Sequence, residues 1–138
     1  MALDETSLNT ILDAIRFNAE GLVPAIAQAT PDTGGAVLMM AWMNRAAVVE
    51  TLTSGRVCYW SRSRHALWRK GESSGQVQRL HDFRIDCDGD TLLLLVEQEG
   101  VACHTGRHSC FYRAVREGQL TTILEVQTSP EQLYGANA

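Results

Sequence analysis

The feature that most constrains this chain is the shortness of its apolar runs. Ala36–Met43 (AVLMMAWM) is nearly continuous and Leu92–Val96 is unbroken, and both lie between polar or turn-forming segments. Runs of this length predict buried strands. Neither approaches the ~20 residues that a membrane-spanning helix needs. Shorter β-branched and aromatic runs predict further strands at Leu22–Ile26, Val57–Trp60, Val77–Ile85, Thr91–Val96 and Phe111–Val115. Pro24 is tolerable in the first of these only near an edge or an end.

Helical spacing is scarcer. Leu8, Ile11, Leu12 and Ile15 recur on one face and predict a short amphipathic helix. Asn44 suits the N-cap of a second helix over Arg45–Thr53, and Gly55 stops it. Pro31–Gly35 (PDTGG) predicts a turn, and Ser129, Pro130 and Gly135 a frayed tail. With no internal repeat and no linker, residues 1–138 read as one α+β domain dominated by strands. A chain of this size buries a modest core, so a dimer would cover surface that a monomer leaves wet.

Composition narrows the function classes. The formal net charge of −4 argues against nucleic-acid binding driven by overall charge. Asp4 and Glu5 stand where a secretory signal would carry basic residues, so the expected location is cytoplasmic, with no membrane partner. In that reducing compartment Cys58, Cys87, Cys103 and Cys110 are expected to be free or metal-bound rather than disulfide-linked.

Asp86-Cys87-Asp88-Gly89-Asp90 carries the densest chemistry. If this segment is extended, Asp86, Asp88 and Asp90 share one face and Cys87 takes the other. Three carboxylates on one face form a hard oxygen site suited to Mg²⁺. The spacing does not fit a calcium loop, because Thr91 stands where that loop needs glycine. Cys87, Cys103 and Cys110 supply three soft ligands, and an open fourth position is the mark of a catalytic zinc. Such a zinc makes a hydroxide nucleophile available near neutral pH, and His104, next to Cys103, is the candidate proton shuttle. The alternatives are ordinary ones: cysteines as small core residues, and an aspartate-rich turn that is merely solvated. Cys58 takes the core reading, between Val57 and Tyr59. His65 and His81 read as structural, and His108 has at most a minor role.

Arg62–Gly75 (RSRHALWRKGESSG) has no clear period and reads as a long exposed loop, a form that is usually functional. Arg62, Arg64, Arg69 and Lys70 suit phosphate, with Gly71 and Gly75 allowing close backbone approach. Tyr59, Trp60 and Trp68 flank the loop and offer stacking faces for a base, or else turn into the core. Together with a metal cluster, this points to a phosphorylated nucleotide as substrate.

Read together, VLMMAWMN (37–44), YWSRSR (59–64), LWRKGESSGQ (67–76), IDCDGD (85–90) and ACHTGRHSCF (102–111) resemble the motif set of phosphoribosyl-AMP cyclohydrolases, in order, over residues 8–116. The resemblance implies hydrolysis of the N1–C6 bond of the adenine ring of phosphoribosyl-AMP by zinc-bound hydroxide, in histidine biosynthesis. It implies zinc on Cys87, Cys103 and Cys110, shared across a homodimer, and magnesium on Asp86, Asp88 and Asp90. For the substrate it implies Trp60, Ser61, Arg62, Ser63, Arg64, Lys70, Glu72, Ser73 and Gly75. It also implies a strand-rich pseudobarrel with helical caps and swapped segments. His108 and Val101 depart from the family pattern without touching an implied ligand, and a fused pyrophosphohydrolase domain does not fit this length.

Two other readings compete. A zinc nucleobase deaminase needs H-x-E with P-C-x-x-C, and neither occurs. A zinc-stabilised binding module needs a closed four-ligand site and unfolds when the metal is removed.

Overall fold

The computed structural model describes residues 3–134. Helix α1 (Glu5–Asp13) begins at Asp4, whose carboxylate accepts the Ser7 N–H at 2.7 Å. Strand β1 (Val23–Ala29) alternates buried and half-buried residues, and β2 (Val37–Met43) pairs with it antiparallel from Val23↔Met43. A 3-10 turn at Pro31–Thr33 joins them, as the PDTGG segment predicts. Helix α2 (Arg45–Ser54) starts where expected: the Asn44 side chain accepts the Ala47 N–H at 2.8 Å, and Gly55 closes the helix in the left-handed region.

Strands β5 (Gln78–Ile85) and β6 (Leu92–Gln98) complete a four-stranded sheet of order β2-β1-β6-β5. The central β1–β6 pair is parallel, beginning at Ala25↔Leu92. Pro24 precedes that pairing and faces only Trp42 on β2, so it lies near a strand end as the sequence requires. The fully buried side chains of Val23, Leu38, Met43, Val48, Leu92, Leu94 and Val96 form the core between the sheet and the helices. The tool for this is the period of two: Leu92, Leu94 and Val96 face the core while Leu93 and Leu95 stay half-buried.

Three expectations need correcting. The apolar run ending at Met43 is not wholly buried, because β2 is an edge strand and Val37 and Met40 are exposed on it. The basic segment is not a long loop. It opens with a turn and a strand, β4 (Ala66–Arg69), which forms a hairpin with β3 (Cys58–Ser61), the strand expected at Val57–Trp60, in register from Cys58↔Arg69 to Ser61↔Ala66. The last predicted strand is a hairpin of β7 (Arg113–Arg116) and β8 (Gln119–Thr122), and the tail forms a short helix α3 (Pro130–Tyr134) that buries Leu133. Gly135 lies outside the described residues. No helix among the described residues is long and apolar enough to cross a membrane.

Candidate active site

The aspartate cluster converges, but not for the reason its spacing offers. Residues 86–90 are a turn between β5 and β6, not an extended segment. Asp86 organises it: its N–H donates to Thr91 O at 3.0 Å, and its Oδ1 accepts the Asp90 N–H at 2.9 Å and the Thr91 N–H at 3.3 Å. Gly89 has φ 81°, and a Cβ there would stand 2.5 Å from Ala14 O. Its own carbonyl accepts the Arg16 N–H at 2.7 Å, which ties the turn to the end of α1. As a result, carboxylate oxygens of Asp86, Asp88 and Asp90 lie within 4.8 Å of one another, all exposed. Hydrogen bonds and charge from Asp88 and Asp86 raise the Asp90 carboxyl above its ordinary value. A hard divalent cation would relieve that crowding, so the donor set fits Mg²⁺.

The thiols sit on the loop from Val101 to Cys110. The loop folds back on itself, with Ala102 N–H donating to His108 O at 3.2 Å and Cys103 N–H to Arg107 O at 3.1 Å. It is fastened to the free edge of β2: the Cys110 N–H donates to Leu38 O at 2.7 Å, and the Ser109 hydroxyl to Val37 O, also at 2.7 Å. Cys103 is buried and Cys110 exposed as a residue, yet the Cys110 thiol is partly desolvated and within electrostatic reach of that of Cys103. Burial and the neighbouring Cys103 push the Cys110 thiol up to about 12. A soft cation between the two sulfurs would reverse that balance by stabilising the thiolates, so this pair fits zinc. Thr105 Oγ1 donates to Cys103 Sγ at 3.0 Å, a contact the sequence did not announce. His104 is exposed beside Cys103.

Cys87 is exposed on the aspartate turn and does not join Cys103 and Cys110 in one three-ligand group within the chain, among the described residues. Cys58 is a core residue, as expected. It is fully buried in β3, and desolvation, followed by Glu50, pushes its thiol up to about 12.

A buried polar chain supports the thiol loop from below. The Tyr59 hydroxyl donates to Gln78 Oε1 at 2.8 Å and Gln78 Nε2 to Gln98 Oε1 at 2.9 Å, while Gln76 Oε1 accepts the Val101 N–H at 2.9 Å. Sequence reasoning passed over these glutamines, since nothing in their spacing distinguishes them from surface residues.

The proposed substrate residues divide between two concavities. Arg64, Lys70, Glu72 and Ser73 line a polar cavity of about 140 Å³ with Trp68, Gly71, Ser74 and Tyr134. Trp60 and Arg62 line another of about 360 Å³, with Asn44 and His65. Arg62 stacks over Trp42 at 4.9 Å, and Ser61 Oγ accepts the Arg64 N–H at 3.2 Å within the hairpin turn. Ser63 and Gly75 are exposed. Gly71 has φ 86° and its own chain passes close by, so that a Cβ would meet Val77 N at 2.5 Å. His65 turns the hairpin at φ 51° and stands edge-on to Trp60, and His81 is an exposed partner of Glu97 at 3.3 Å.

A family profile described as phosphoribosyl-AMP cyclohydrolase matches residues 39–112, which span the hairpin, the aspartate turn and the thiol loop. Curated relatives called phosphoribosyl-AMP cyclohydrolase are similar along nearly the whole chain. One from Rhodospirillum centenum is 63% identical over 93% of this chain and 95% of its own. One from Paramagnetospirillum magneticum is 67% identical over 90% and 92%, and one from Granulibacter bethesdensis 62% identical over 94% and 100%. The protein is therefore a hydrolase. It belongs to the phosphoribosyl-AMP cyclohydrolase family.

Proposed function

We propose that this protein hydrolyses the N1–C6 bond of the adenine ring of 1-(5-phosphoribosyl)-AMP in histidine biosynthesis, as a cytoplasmic homodimer that uses zinc and magnesium. The observation that carries the reading is the folded-back loop that carries both Cys103 and Cys110, with the two thiols within electrostatic reach of each other. With Cys87 these thiols would hold zinc, and Asp86, Asp88 and Asp90 would hold magnesium. When bound, zinc supplies an acidified water as the nucleophile for an adenine made electron-poor by its N1 substituent.

The chain's own residues bind and orient. Arg64, Ser73 and the glycine turn offer charge and hydrogen bonds to a phosphate, and Glu72 lies in the same cavity. Arg62 and Ser61, with Ser63 and Gly75 on the exposed turns, border the remainder of the substrate, and Trp60 offers a stacking face. His104, exposed beside Cys103, would move a proton at the attacked ring. Lys70 lines the phosphate cavity, but its ammonium is turned inward.

The dimer would bring Cys87 of one chain to the thiol pair of the other. In support, Cys87 is exposed on the aspartate turn, where a second copy could reach it, and a pseudobarrel capped by α1 and α2 with swapped segments would be a property of that dimer. Neither nucleic acid nor a membrane enters this scheme.

Ultraviolet monitoring of ring opening with phosphoribosyl-AMP, with zinc quantified in the same preparation, tests the proposal. About one zinc per subunit is expected, lost together with activity in Cys103→Ser and Cys110→Ser. Full zinc retention in both variants would refute the ligand assignment.

A further inference from the structure

Lys70 is the only charged side chain in the buried set of the described residues, with 6% of its surface exposed. It follows β4, and its Nζ donates to Ala102 O at 2.8 Å. Ala102 immediately precedes Cys103. One carbonyl is thin compensation for a buried ammonium, because it uses one of three N–H donors and carries no net charge. The Trp68 ring, 5.9 Å away, adds little at that distance. Burial lowers the Lys70 pKa, while Cys110 and then Cys103 act in the opposite direction, so both thiols lie within electrostatic reach of the ammonium.

The charge count gives this arrangement a purpose. A zinc ion held by three thiolates leaves the centre with one excess negative charge. In a partly desolvated place that excess is costly unless a cation stands beside it. We propose that Lys70 is a positioning residue of the thiol centre: its ammonium grips the Ala102 carbonyl, fixing the backbone that presents Cys103, and offsets the excess negative charge of the zinc–thiolate group. This rests on the zinc reading above, and it takes Lys70 out of the phosphate-binding set.

Zinc affinity separates these roles. Metal-free protein is titrated with zinc against a chromophoric chelator, and with Co²⁺ to read the thiolate charge-transfer bands. Lys70→Met keeps the aliphatic stem, Lys70→Gln keeps a donor without the charge, and Lys70→Arg keeps both. Partners outside the first ligand shell are worth about 10- to 100-fold in metal affinity, and a loss of that size is expected for Lys70→Met and Lys70→Gln. Their Co²⁺ thiolate bands should shift, and Lys70→Arg should restore most of the affinity. Wild-type affinity in Lys70→Gln overturns the charge role, and a raised KM with unchanged zinc affinity returns Lys70 to phosphate recognition. If Lys70→Met does not fold, the comparison of Lys70→Gln with Lys70→Arg decides the question alone. If the wild-type protein holds no zinc through Cys103 and Cys110, the zinc reading fails first and this inference with it.

Discussion

At the scale of single residues, two carboxylates show how one chemistry serves different ends. In Asp88 the carboxylate crowds Asp86 and Asp90 within 4.8 Å. Asp88→Asn removes one negative charge from this group while leaving the turn's backbone bonds to Asp86 intact. Losing even an outer partner costs a metal site about 10- to 100-fold, so Mg²⁺ activation of Asp88→Asn is expected to weaken at least that much, with zinc content unchanged. Titration of activity against Mg²⁺ checks it. Glu50 serves the fold instead, taking two hydrogen bonds from Arg69 at 2.8 and 2.7 Å and so joining α2 to β4. That guanidinium holds the Glu50 carboxyl below its usual range. A lowered folded-state pKa gives stability that is present above the unfolded value and lost as pH falls through the folded one. Glu50→Gln should therefore lower the urea midpoint slightly near neutral pH, and the gap should close in acid; a gap that persists there would contradict the assignment.

At the scale of elements, turns and caps announced themselves better than pairings did. Asn44 and Gly55 bracket α2 because capping chemistry is local and written in two residues. Strand β3 is legible at Val57–Trp60, but β4 and its pairing are not, because β4 is four residues long and the turn, Arg62–His65, has no glycine or proline to mark it. His65 takes the positive φ that such signals advertise. Lys70 reads from sequence as a phosphate ligand on an exposed loop for a related reason: burial of an ammonium depends on a carbonyl 32 positions away, which no local pattern reports. The aspartates and cysteines stand out in the motifs, whereas the turn that gathers the aspartates does not, since alternation and a tight turn can each bring three carboxylates together. Gly89 is what makes the turn possible. Gly89→Ala forces an L-residue into the left-handed region, at about 1–2 kcal/mol, and presses its methyl on Ala14 O. A lower Tm and a weaker Mg²⁺ response are expected, with zinc retained, as calorimetry and metal analysis would show.

At the scale of the whole molecule, the decisive question is whether one chain makes one site. Cys87, Cys103 and Cys110 do not form one three-ligand group within the chain, among the described residues. If two chains share the zinc, mixing inactive Cys87→Ser and Cys103→Ser under subunit exchange gives a heterodimer with one doubly damaged site and one intact site. About half of the heterodimer's sites should then regain activity. Silence from a heterodimer verified by native mass spectrometry would mean that each subunit binds its own metal. The parallel pairing at the sheet's centre bears on how such a site comes into being. Ala27 lies opposite Leu94, and 94 − 27 = 67 residues must close before the two strands meet. Hairpins form in about 1–10 μs, whereas closing so long an excursion is the slow event of folding. The aspartate turn belongs to the local β5–β6 hairpin and can take shape early. Cys110 is anchored on β2, and β2 reaches β6 only through β1, so the thiols are gathered late. A newly made chain therefore passes through a stage in which its aspartate turn exists and its thiols are still loose, open to whatever oxidant or stray metal ion it meets first.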